Sequence, residues 1–235
     1  MSTPTHHAMT IAGLKFRYGG DAASPWVVNV PSLSLARGEQ ALVVGRSGRG
    51  KSTLLQIIAG LMRPTEGRVE IGGTDLHAMG EGARDQFRGR SIGMVFQTLN
   101  LLQGFSAAEN VMAALMFGAV PAREHRARAE SLLRRLGVER PDSLAEELSV
   151  GQQQRVAVAR AVACDPVLVL ADEPTASLDP ENAGVAMDLL QQSCREKNAA
   201  LLCVSHDPAM SARFARRTSL DELAGMVPAA VGGQG

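Results

Sequence analysis

Eight consecutive residues, Gly45-Arg46-Ser47-Gly48-Arg49-Gly50-Lys51-Ser52, fit the spacing G-x-x-x-x-G-K-[ST]. The glycines let the backbone curl so that successive N–H groups point at phosphate oxygens. Lys51 supplies a point charge for the outer phosphates, and Ser52 a hydroxyl for Mg²⁺. The apolar run Ala41–Val44 precedes this loop, and a helical run from Thr53 to Ala59 follows it. The start of that helix adds the positive end of its dipole. This strand–loop–helix context favours a phosphate-binding loop over a solvated glycine turn.

A second group follows the run Val167–Ala171, which delivers Asp172 and Glu173 to the carboxyl end of a buried strand. Ligands of open α/β sheets bind at such ends. Asp172 is read as a holder of the Mg²⁺ shell and Glu173 as the group that polarises an attacking water. Alone, the pair reads equally well as two solvated carboxylates; beside a phosphate loop the catalytic reading prevails. A third feature is Leu148-Ser149-Val150-Gly151-Gln152, where Ser149 and Gln152 have capping-box spacing. Gly151 would let another molecule approach the exposed N–H groups, which makes a second anion-binding helix start. Plain N-capping is the alternative, and periodicity alone favours it.

The elements that must position these groups are legible as apolar runs of about five residues, Ala41–Val44, Ile92–Phe96, Val167–Ala171 and Leu201–Val204. They lack polar alternation, as strands buried on both faces do. Helical segments between them predict a parallel sheet covered by helices. Val69–Ile71 followed by Gly72-Gly73 predicts half of a β-hairpin. From about Ala107 to Leu148 the pattern is helical. Pro121 and Pro141 bracket an arginine-rich amphipathic helix whose apolar stripe is Ala129, Leu132, Leu133 and Leu136. Its arginines read as a solvated face, with phosphate or lipid headgroups as the alternative.

The fold class is therefore α/β, a P-loop NTPase core with a mostly parallel sheet, an antiparallel β subdomain near the N-terminus and an inserted helical subdomain. The expected division is one domain over 8–225, with 8–97 and 151–225 as the core and 98–150 as the helical subdomain. Disordered tails are expected over 1–7 and 226–235, so that His6 and His7 read as a frayed end rather than a metal site.

Twenty-four basic residues balance 24 acidic ones, which gives no bulk attraction for nucleic acid or anionic membrane. Cys164, Cys194 and Cys203 have no zinc-ligand spacing, and two of them sit in apolar runs, as core residues do. Their odd number fits a reducing compartment. The start lacks a signal-peptide pattern. The best span candidate, Ala107–Val120, is short and carries Glu109 and Asn110. Work at a membrane would need a second chain.

Taken together, these motifs resemble those of ABC ATPases, in the order that family shows: Gly45 to Ser52 as Walker A, Leu148 to Gln152 as signature, Val167 to Glu173 as Walker B, and His206 after a strand. Gln97 resembles the Q-loop and Ser177-Leu178-Asp179 the D-loop. The resemblance covers roughly residues 10 to 210. It implies that Tyr18 stacks on adenine, with Phe16 the nearby alternative, and that Gly45 to Thr53 hold the phosphates of ATP. Gln97 would reach Mg²⁺ and the attacking water, and His206 the γ-phosphate. Ser149, Gly151 and Gln152 would face the nucleotide of a second copy, with Asp179 at the dimer interface.

The partners so implied are that second copy and a separate transmembrane permease, with no nucleic acid. The implied location is the cytoplasmic face of the inner membrane. The stretches Gly93–Leu102, Ala108–Val111 and Val169–Thr175 are similar to the lipoprotein-releasing, macrolide-exporter and DevA-like ATPases. That similarity implies export or extraction of a lipid, lipoprotein or hydrophobic substrate, with an importer as the alternative. A soluble ABC protein of DNA repair or translation would carry coiled-coil insertions or tandem cassettes. An ordinary P-loop kinase or GTPase would leave the Ser149 segment and His206 without a role. Two departures stand out. Val150 occupies the usual third, glycine position of the signature, and Phe214–Leu223 reads helix-like where the family closes with strands.

Overall fold

The computed structural model describes residues 7–19, 24–46, 48–176 and 178–225. Two sheets carry the fold. A parallel sheet has the order β6 (Ile92–Val95), β7 (Leu168–Asp172), β8 (Ala200–Ser205), β3 (Gln40–Val44), β9 (Arg216–Ser219). An antiparallel sheet has the order β2 (Val28–Ala36), β1 (His7–Phe16), β4 (Glu66–Ile71), β5 (Thr74–Asp75). The four apolar runs are the four strands β3, β6, β7 and β8.

These strands are apolar throughout because the parallel sheet is a septum between two cores. Leu42, Val169, Ala171, Leu201 and Cys203 point to one side. That side packs on α3 (Ala107–Leu115), α4 (His125–Arg135), α5 (Val150–Val162) and α6 (Pro180–Glu196). Their neighbours Ala41, Val43, Leu168, Leu170 and Leu202 point to the other, against α1 (Lys51–Ile58) and the antiparallel sheet. Strand alternation thus buries both faces, and α1 lies sandwiched between the sheets.

Val69–Ile71 does belong to a hairpin: Ile71 pairs with Thr74 across Gly72 and Gly73, both at positive φ. Between Phe105 and Ser149 the described chain has two helices, α3 and α4, and two short 3₁₀ turns. The predicted stripe of α4, Ala129, Leu132, Leu133 and Leu136, is buried. Its arginines form ion pairs within the chain, Arg126 with Glu130 and Asp142, Arg128 with Asp165, and Arg135 with Glu196, as a solvated face does. No helix among the described residues is long and apolar enough to cross a membrane.

The helix-like reading of Phe214–Leu223 is corrected. Arg216–Ser219 forms β9, parallel to β3 from Ala41↔Arg216 to Val44↔Ser219, and only α8 (Leu220–Gly225) is helical. An edge strand needs no apolar face. Arg216 instead donates to Ser34 O at 2.7 Å and pairs with Glu39 at 2.6 Å, so polar contacts hold the strand. The expected tails lie outside the described residues except for His7, which begins β1 and pairs with Ala36 rather than fraying.

Candidate nucleotide site

Four adjacent strands, β6, β7, β8 and β3, run parallel, so their carboxyl ends lie side by side. The register sets Val95 beside Ala171, Asp172 beside Val204, and Val44 beside Ser205. The residues that follow are Gln97, Glu173, His206 and the loop from Gly45. A cleft of about 400 Å³ opens there, lined by Tyr18, Gln97, Glu173, His206, Val27 and the loop residues Gly48 and Gly50–Thr53.

The loop is shaped by its glycines. Gly48 and Gly50 have φ of 77° and 88°, the left-handed region in which a side chain is strained. A Cβ on Gly50 would also lie 2.4 Å from Val27 O. Gly50 is the residue from which α1 starts. Lys51 is buried and donates to Gly45 O at 2.6 Å and Arg46 O at 3.1 Å, with Glu173 Oε1 3.5 Å away. Arg46 and Arg49 are exposed, and Arg49 lines a separate cavity of about 300 Å³ with Trp26, Asn29 and α8. Ser47 lies outside the described residues. Trp26 itself lies under two cations, Arg17 at 4.0 Å and Lys15 at 5.4 Å from the ring centre.

Tyr18 is 56% exposed at the cleft, edge-on to Phe16 at 4.9 Å, and its hydroxyl is 3.1 Å from Thr53 Oγ1. Phe16 is buried, so of the two rings only Tyr18 lines the cleft.

Glu173 has φ of 46°, a backbone position unusual for a residue with a side chain, while its N–H still bonds Val204 O. Its carboxylate accepts from Ser205 Oγ at 2.9 Å and from the His206 N–H at 3.2 Å, and Oε1 lies 2.7 Å from His206 Nδ1. Burial works to raise its pKa, but the bonds from His206 and Ser205 outweigh it and hold the carboxyl below the usual range. At Asp172 the balance is opposite. Burial and the neighbouring Glu173 charge raise its pKa against a hydrogen bond with Ser52 and the attraction of Lys51. Asp172 Oδ1 is buried without a hydrogen-bond partner. A buried carboxylate oxygen with an open lone pair, beside a serine hydroxyl, is the donor set a hard divalent cation takes.

Ser149, Gly151 and Gln152 do not line this cleft. Ser149 caps α5 with a complete capping box: Gln152 N donates to Ser149 Oγ at 3.3 Å, and Ser149 N to Gln152 Oε1 at 3.0 Å. Asp179 caps α6 by accepting from Asn182 N at 3.1 Å, and Asn182 in turn flanks Gly151. The two helix starts therefore share one surface, on which Val150 is half-exposed. Ser177 lies outside the described residues.

Sequence reasoning passed over Ser205, Val27 and Gln154. Ser205 could have been flagged as a polar residue ending an apolar run beside His206. Val27 carries no local signal. Gln154 is buried and ties α5 to the residue after Glu173, donating to Pro174 O at 2.9 Å.

Residues 28–176 match the family model described as ABC transporter. The chain belongs to this family. It is 43% identical, over 197 residues and 83% of each chain, to the lipoprotein-releasing system ATP-binding protein LolD of Chromohalobacter salexigens. It is also 43% identical to the ABC transporter ATP-binding protein YtrE of Bacillus subtilis, covering 75% of this chain and 77% of that one. Among solved structures, it resembles the dimeric post-hydrolysis state of the ATP-binding cassette MJ0796 bound to ADP and Pi. That match has a TM-score of 0.78 and 34% identity, over 90% of this chain and 93% of that one. It also resembles cbiO1 of Clostridium perfringens, described as part of the ABC transporter complex cbiONQ, with a TM-score of 0.74 and 29% identity over 86% and 79%. This ABC chain is thus the ATP-binding, ATP-hydrolysing subunit of a transporter.

Proposed function

We propose that two copies of this chain close on two ATP molecules and so drive a separate membrane permease that extracts or exports a lipoprotein or other lipid-bearing substrate. One observation carries the reading. The chain has a phosphate-loop cleft at Lys51 and, outside that cleft, a capped helix start at Ser149 that shares a surface with the Asp179 cap. A second copy gives that surface its purpose, as the dimeric relative bound to ADP and Pi suggests. The substrate class rests on the relatives named for lipoprotein release. Attachment through the permease would hold the chain at the cytoplasmic face of the inner membrane.

In this reading the loop N–H groups and Lys51 take the phosphates, and phosphate replaces Glu173 as the partner of the Lys51 ammonium. Tyr18 offers its exposed ring to the adenine. Ser52, Asp172 and Gln97 would hold Mg²⁺, which when bound neutralises charge on the outer phosphates. Glu173 is ionised near neutrality, and its low pKa makes it an orienting acceptor for water more than a strong base. His206 and Ser205 hold that carboxylate in place, and His206, which lines the cleft, would serve the γ-phosphate. Ser149, Gly151 and Gln152 face the second copy's nucleotide. Leu102, Phe105 and Phe117 expose apolar surface on the helical subdomain, which we assign to the permease.

The test is to trap the complex. Tagged Glu173→Gln, purified with Mg-ATP from detergent-solubilised membranes, is expected to bring down an untagged copy and an integral membrane chain with a large extracytoplasmic domain. Recovery of a many-helix permease with a solute-binding protein would move the reading to uptake. Recovery of no membrane chain with Glu173→Gln, while the unsubstituted protein hydrolyses ATP, would overturn it.

A further inference from the structure

The four residues after Gln97 turn sharply: Leu99 and Asn100 both have positive φ, 57° and 47°. Two left-handed residues in succession, neither of them glycine, persist only where the surroundings hold them. The local bonds are few, Leu99 N to Phe96 O at 3.1 Å and Thr98 Oγ1 to Asn100 Oδ1 at 2.7 Å. What fixes the turn from outside is Arg160, in the last turn of α5, whose guanidinium donates from Nη2 to Leu99 O and from Nη1 to Asn100 O. A planar fork reaching two adjacent carbonyls sets direction as well as distance, which a lysine cannot do.

Arg160 has no carboxylate within ion-pair distance among the described residues, and burial lowers its pKa. A half-buried cation bonded to carbonyls alone holds them through charge-assisted hydrogen bonds. It also lines a groove of about 420 Å³ between α2 (Glu81–Ser91) and α3, together with Phe96 and Phe117. The far end of the same segment is held separately. Fully buried Asn110 donates to Leu102 O, Phe105 O and Ser106 O and accepts from Leu102 N.

We propose that Arg160 is a positioning residue for hydrolysis: its fork on Leu99 and Asn100 places Gln97 in the cleft and ties that placement to α5. Gln154 makes the equivalent tie at Pro174, beside Glu173. One helix, beginning at the surface assigned to the second copy, thus holds both loops that carry the water-handling groups. The inference rests on the role proposed for Gln97.

The experiment compares Arg160→Gln, Arg160→Lys and Gln97→Ala for kcat, directly measured ATP affinity, and amide exchange over residues 98–102. Arg160→Gln is expected to lower kcat by about ten- to hundred-fold, the scale of a misplaced group. ATP affinity should be unchanged and exchange at 98–102 faster. Arg160→Lys should recover part of kcat, and it carries the test by the same comparison if the glutamine variant does not fold. Impaired Gln97→Ala with unchanged kcat in both Arg160 variants overturns the positioning role alone. So does a loss of kcat and affinity together, as a merely structural residue would give. A silent Gln97→Ala overturns the role of Gln97 and this inference with it.

Discussion

Asp172 and Glu173 are neighbours in sequence whose carboxyls are shifted in opposite directions. Glu173, held low, contributes stability above its unfolded pKa and loses it as pH falls through the folded value. Asp172, held high, does the reverse: its contribution is present below the unfolded value and lost as pH rises through the folded one. At neutrality the Asp172 charge is therefore a cost that a cation would relieve. Asp172→Asn is expected to raise the melting temperature of the nucleotide-free protein near neutrality and to leave it nearly unchanged at about pH 4. It should also remove the extra stabilisation that Mg²⁺ adds to ATP. Calorimetry with and without Mg²⁺ checks both, and a lower melting temperature near neutrality would contradict the sign. The pairing of these carboxylates with the phosphate loop was legible because motif spacing fixes residue types. Their opposite pKa shifts were not: that of Glu173 comes from His206 and Ser205, 33 and 32 positions away, and that of Asp172 from burial and the Glu173 charge.

At the scale of elements, the sequence does not show what a buried polar residue is bonded to. Asn110 reads as a polar interruption that disqualifies a membrane span; it is fully buried and satisfied by backbone groups of 102–106. Removing it strands those groups at about 1–3 kcal/mol for an unpaired buried partner. Asn110→Ala should lower unfolding free energy by about that amount and speed amide exchange at Leu102, measured by denaturant titration and hydrogen exchange. An unchanged midpoint would mean water replaces the side chain at no cost. The four parallel strands were legible because both faces are buried, which leaves no alternation to confuse. β9 was not, because an edge strand written Arg-Arg-Thr-Ser is held by Arg216 reaching Glu39 and Ser34.

The molecule as a whole is a septum with two cores, and the candidate nucleotide cleft lies at the carboxyl edge of its strands, where α1 joins one core to the loop. Binding is therefore coupled to the stability of the entire chain. ATP at about 100 times its Kd should stabilise the fold by about 2.7 kcal/mol, which raises Tm by about 5–11 °C at the sensitivity of a chain of this size. In Glu173→Gln with Mg-ATP the Tm should also rise with protein concentration, because dimer formation adds by mass action. Lys51→Ala should show neither shift. A full ATP shift in that variant would detach Lys51 from the phosphates. Apart from β9, the order and class of the elements that frame the cleft were legible; the contact between Val27 and Gly50 was not, because nothing local in the sequence links them.

The placement of aromatic residues has an optical consequence. Tyr18 and Trp26 are the chain's single tyrosine and single tryptophan. One borders the nucleotide cleft, and the other lies beside Val27 beneath two cations. The native near-ultraviolet absorbance and emission of the whole protein thus originate from one neighbourhood, and the molecule carries its own unlabelled spectroscopic gauge of the nucleotide loop.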